Sequence, residues 1–87
     1  MLNAEFGKPV NVTSTATIKP IGGQLLGFYV NSTNAGTLVL RDGGSGGTQI
    51  SGTITPAIGW REFPATFQNS LHATIGGTAL NVTFFVT

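Results

Sequence analysis

Residues 36–54, Gly36-Thr37-Leu38-Val39-Leu40-Arg41-Asp42-Gly43-Gly44-Ser45-Gly46-Gly47-Thr48-Gln49-Ile50-Ser51-Gly52-Thr53-Ile54, place two alternating apolar and polar runs on either side of a glycine-rich connection. A period of two is the signature of a strand, because successive side chains point to opposite faces of a sheet. Leu38 and Leu40 therefore share one face of the first run, and Ile50 and Ile54 one face of the second. Asp42-Gly43 offers the positive φ angles that a tight reversal needs. The stretch reads as a β-hairpin, and a chain built around it is committed to an all-β fold.

The same pattern recurs along the chain. Val10, Val12, Ser14, Ala16 and Ile18 alternate with polar residues over one long strand, which Pro20-Ile21-Gly22-Gly23 ends by removing a backbone donor and supplying turn glycines. In residues 24–32, Leu26, Phe28 and Val30 alternate against Leu25, Gly27, Tyr29 and Asn31, and Asn34-Ala35-Gly36 is expected to turn the chain into the hairpin. Trp60-Arg61-Glu62-Phe63 reads as a short strand closed by Pro64. Leu71, Ala73 and Ile75 face inward in the next strand, Gly76-Gly77 is expected to turn it back, and Leu80, Val82, Phe84 and Val86 face inward in the last. About seven to eight short strands predict a small antiparallel β-sandwich, jelly-roll or Greek-key like, with the strand order left open. Residues 1–9 show no period and read as an N-terminal arm; residues 10–87 form the domain.

At 87 residues the chain is near the lower limit for burying a core unaided. It has no cysteine for a disulfide and a single histidine, His72, so no cofactor or structural metal is expected and oligomerisation is the remaining common support. Charged residues make up 8% of the chain, against about 25% in ordinary soluble domains. So few charges suit a surface that sits in an assembly. Lys8, Lys19, Arg41 and Arg61 are scattered and the net charge is +1, which gives neither a basic stripe for nucleic acid nor a membrane anchor. The first residues lack the positive and apolar regions of a signal peptide, so synthesis in the cytoplasm is expected. The sequons at Asn11, Asn31 and Asn81 are then chance products of a chain rich in Asn and Thr.

No catalytic constellation is visible. His72 shares a polar strand face with Thr74 and reads as solvent-facing, while Asp42 and Glu62 each follow an arginine and read as locally charge-paired. The glycine loop after Asp42 lacks the lysine and the following helix of a phosphate-binding loop. The informative side chains are the apolar ones expected to face outward: Leu25, Tyr29, Val39 and Phe85, which gathered in one patch would mark an oligomer or capsid interface together with Phe6, Lys8 and Val10. Trp60 reads first as a core residue and second as an exposed ligand platform.

From Ala16-Thr17-Ile18-Lys19, through Gly23-Gln24-Leu25-Leu26-Gly27-Phe28-Tyr29-Val30-Asn31, to Ala35-Gly36-Thr37-Leu38-Val39-Leu40-Arg41-Asp42-Gly43, the chain resembles the short, cysteine-free, Thr/Gly-rich all-β virion proteins of tailed bacteriophages, including capsid decoration (cement) proteins. The resemblance covers about residues 16 to 86 and rests on strand and turn chemistry, so no binding residue is carried over from it. It implies a non-enzymatic homotrimer bound to a major capsid protein on the outer shell, made in the host cytoplasm. A tail or fibre module and a carbohydrate-binding sandwich, the latter using Trp60 or Tyr29, are the alternatives.

Overall fold

In a computed structural model describing residues 8–87, with the backbone alone at positions 34, 35, 78 and 79, the chain forms strands β1 (Lys8–Val12), β2 (Ala16–Lys19), β3 (Gly23–Asp42), β4 (Thr48–Gln49), β5 (Gly59–Phe67) and β6 (Leu71–Val86). Every pairing is antiparallel. The two long strands, β3 and β6, pair along their whole length, from Leu25 opposite Val86 to Asp42 opposite Leu71. Their register slips repeatedly between Val30 and Thr37, where the ribbon bends. Each half of this ribbon anchors one sheet. The first sheet runs β1, β6, β3, β5, and the second runs β2, β6, β3, β4. Counting the halves of β3 and β6 separately gives eight strands in two packed sheets, the expected β-sandwich.

The core lies between the sheets. Leu25, Phe28, Val30, Leu80, Val82, Phe84 and Val86 come from the first, and Ile18, Leu38, Leu40, Leu71 and Ala73 from the second, with Phe67 closing the end. Phe28 sits at the centre, its ring 5.6 Å from Phe84 and 6.2 Å from Phe63. Burying a side chain of this size contributes about 1.5–3 kcal/mol, so this cluster is the main source of stability.

The hairpin forms as its sequence requires. Arg41 pairs with Gln49 and Asp42 with Thr48, Leu38 bridges Ile54, and Gly43 and Gly44 take positive φ. Besides β5, which runs through Pro64 to Phe67 where a strand closed by Pro64 is expected, three local expectations change. Neither Asn34-Ala35-Gly36 nor Gly76-Gly77 reverses the chain: each lies inside a continuous strand, and the two face each other across the ribbon, Asn34 opposite Thr78 and Thr37 opposite Gly76. The inward positions of β6 switch from odd to even between Ala73 and Leu80, so the glycines serve a bend instead of a turn. The strand expected over residues 10–19 is broken at Thr13–Thr15, where the Thr15 hydroxyl takes the Ile75 N–H at 2.9 Å in place of a ladder bond.

The third change is at Leu25. Between Leu25 and Gly27, β3 advances two residues while β6 advances one, from Val86 to Phe85. Such a β-bulge reverses which side chains face inward. Leu25 therefore enters the core at 1% exposure, Leu26 is left half-buried, and Leu25 cannot serve the outward surface expected of it. Val10, also read as an interface residue, packs against the core from β1. Phe6 lies outside the described residues.

Candidate binding face

The outer face of the first sheet is organised in rows that cross all four strands. One row is Asn11, Thr83, Tyr29 and Trp60, each opposite the next in register; the row beside it is Pro9, Phe85, Gly27 and Glu62. Trp60 is 53% exposed and Tyr29 43%. The expectation that Trp60 locks the core is thus overturned. It falls on the outer face because it pairs with the outward Tyr29, while its neighbour Arg61 takes the position opposite inward Phe28. The indole leans diagonally over Gly27 and meets the Phe85 ring edge-on, with centroids 5.6 Å apart and planes at 67°.

A polar ladder adjoins the aromatic residues. Asn11 Nδ2 donates to Asn81 Oδ1 at 2.7 Å, to Thr83 Oγ1 at 2.9 Å and to the Val82 carbonyl at 3.3 Å. Asn31 Nδ2 donates to the same Asn81 Oδ1 at 3.2 Å and Thr83 Oγ1 at 3.1 Å. The asparagines of all three sequons thus converge on one spot. Sequence spacing alone does not bring the three together. The partial signal is that in Asn11-Val12 and Asn81-Val82 a polar outward position precedes an inward valine; the pairing of β1 with β6, Val12 opposite Val82, then puts both asparagines on one face.

Of the other outward residues, Tyr29 and Phe85 belong to this face, Lys8 is exposed on the edge strand β1, and Val39 lies half-buried opposite Thr74 in the second sheet. They do not form one patch. Arg41 and Asp42 point apart, as neighbours in a strand must. Arg41 Nη1 donates to Thr74 Oγ1, and the Asp42 carboxylate accepts the N–H groups of Gln68 (2.7 Å), Asn69 (2.9 Å) and Ser70 (3.2 Å). Those bonds, Gln68 first and Asn69 next, outweigh burial and hold the Asp42 carboxyl below its ordinary value. The expected Arg41–Asp42 pairing is replaced by a clamp on the connection from β5 to β6.

His72 is 7% exposed, not solvent-facing, and its Nε2 has no hydrogen-bond partner among the described residues. Its cross-strand neighbours are Thr17 and Arg41, and Nδ1 lies 3.5 Å from the Thr17 hydroxyl. Among the described residues, no three His, Cys, Asp or Glu side chains gather as a metal site, and no helix is long and apolar enough to cross a membrane. Comparison of the chain with protein-family models, with curated proteins and with solved structures finds no match.

Proposed function

We propose that the protein is a non-enzymatic virion component of the capsid-decorating kind, a homotrimer that binds the major capsid protein on the outer surface of the head. The observation that carries this reading is how the sheet edges are finished. Edge strands β1 and β5 of the first sheet contain Pro9 and Pro64; in the second, β2 has four residues and runs into Pro20, and β4 has only two. Proline lacks the N–H that a further strand would use, and very short edges offer no template. A protein packed in many copies on a lattice, with few charges to keep copies apart, needs such edges to avoid polymerising strand to strand. In this reading Asp42 is a structural group, held by three N–H groups, and His72 is a buried one.

Of the arm expected over residues 1–9, Lys8 and Pro9 are paired into β1 opposite Val86 and Phe85, so with the domain edges blunted the shell contact in this reading falls to residues 1–7, together with Lys8 at the start of β1. Immunogold labelling of intact particles with an antibody to this chain tests the location. Even label over the heads supports decoration. Label confined to the tail moves the protein to a tail or fibre role, and bare particles overturn the virion reading. Deleting residues 1–7 should abolish binding to heads that lack the protein while leaving the circular dichroism of the domain unchanged; undiminished binding overturns the role given to that segment.

A further inference from the structure

We propose that the outer face of the first sheet is a binding site for a neutral saccharide, which stacks on Trp60 and Tyr29 and hydrogen-bonds to the ladder of Asn11, Asn81 and Asn31. This goes beyond the decorating role and uses none of the residues 1–7 to which that role is assigned.

The aromatic half of the site is preorganised. Trp60 rests on Gly27 and against Phe85, so its indole is held from below and from the side while 53% of the residue stays open to solvent. Tyr29 stands directly across the strand pair from it. Rigid rings of this kind offer contact area at little entropic cost, and a pyranose presents them with a flat face of C–H groups.

The polar half follows from counting protons. An amide nitrogen carries two hydrogens, and those of Asn11 and Asn31 are engaged within the ladder. Among the described residues, the groups left over are the Oδ1 acceptors of Asn11 on β1 and Asn31 on β3, and the Asn81 Nδ2 and Thr83 hydroxyl donors on β6 between them. Read from β1 through β6 to β3, the face presents acceptor, donor, acceptor around the point where the three amides meet. Sugar hydroxyls, each both donor and acceptor, answer such an alternation.

Charge and size narrow the ligand. In the two rows the charged side chain is Glu62, which disfavours an acidic sugar, while the exposed cations Arg61 and Lys8 occupy the alternate positions of edge strands β5 and β1. The exposed fractions of Trp60 and Tyr29 amount to roughly 200 Å² if each ring buries what an aromatic side chain usually does. An aromatic platform of this area matches a short run of sugar rings.

The test is isothermal titration of the full chain with laminarihexaose, maltohexaose, cellohexaose and chitohexaose, backed by an array of neutral and acidic glycans. The expected result is saturable binding of a neutral saccharide that shifts the fluorescence of Trp60, the single tryptophan. Trp60→Ala should abolish it, Asn31→Ala should weaken it about tenfold, and Trp60→Phe, which keeps a ring, should retain it. Circular dichroism of each variant checks the fold. All of these should leave attachment to heads intact, which separates failure here from failure of the decorating role. An array without neutral ligands, binding restricted to acidic glycans, or affinity unchanged in Trp60→Ala and Asn31→Ala overturns the proposal; so does loss of head attachment in Trp60→Ala without saccharide binding, which would make the face a protein contact.

Discussion

The indole of Trp60 lies so close over Gly27 that a methyl group on that glycine would meet ring carbons Cη2 and Cζ2 at 2.7 Å and the Arg61 carbonyl at 2.6 Å. Gly27 is in the middle of a strand, where glycine forgoes side-chain packing and carries an entropic cost. Its presence is explained by what it admits. The empty Cβ position lets the ring settle onto the backbone beside Phe85, and the aromatic half of the outer face is built on that gap.

Gly27→Ala should therefore act at two levels. The carbonyl of Arg61 cannot move without disturbing the β3–β5 ladder, so a loss of about 1–3 kcal/mol is expected, as for other overpacked sites. The ring must also leave its seat, which should shift the emission of the single tryptophan in the folded state. Stability and emission both unchanged would mean that Trp60 does not rest on Gly27.

Leu25 and Leu26 provide a sharper check on the bulge. Leu25→Ala removes a fully buried side chain and should cost about 2–5 kcal/mol, whereas Leu26→Ala, at a half-buried site, should cost less than about 1.5. In a domain of this length each kcal/mol moves the melting temperature by roughly 4–8 °C, so the two variants separate easily. Equal losses, or the reverse order, would restore the uninterrupted alternation that the sequence suggests.

The same residues mark where the sequence could and could not be read. Alternation identified Phe28, Val30, Leu38, Leu40, Leu71, Ala73, Leu80, Val82, Phe84 and Val86 as inward, because a period of two survives wherever a strand is regular. It failed at Leu25, since a bulge inserts one residue with no change in local composition. It failed again at Gly76-Gly77. Glycine permits a reversal or a bend with equal ease, and only the partner strand, here continuous through Asn34, decides between them. The candidate face was half legible. Tyr29 and Phe85 were read as outward from parity alone. Trp60 was not, because its register depends on β5 pairing with β3, and the convergence of Asn11, Asn31 and Asn81 joins residues up to 70 positions apart.

His72 carries a cost that substitution can remove. Its Nε2 is buried without a partner, and an unsatisfied buried polar atom destabilises a fold by about 1–3 kcal/mol. His72→Leu should accordingly leave the melting temperature unchanged or raise it, with a gain of about 1 kcal/mol if the leucine fills the site. A clear drop would mean that the imidazole makes a contact the unpartnered nitrogen does not suggest.

Asp42 gives the fold its acid dependence. Its carboxylate receives the Gln68, Asn69 and Ser70 N–H groups, so the charged form is favoured in the folded state and its pKa lies below the ordinary 3.8. For a carboxyl depressed by folding, the contribution to stability is complete above the unfolded value and disappears as pH falls through the folded one. The melting temperature of the native chain should thus decline below pH 3.8, as protonation turns an acceptor of three bonds into a weaker one. Asp42→Asn should be less stable at neutral pH, because one amide position now offers hydrogens to the N–H groups of the β5–β6 connection, and its profile should be flatter in acid. The measurement is the difference in melting temperature between the two proteins across this range. A difference that stays constant from neutral pH to about pH 2 would show that the clamp does not depend on the charge, and the hydrogen-bonded carboxylate would lose its place as the device that ties the first sheet to the second at this end.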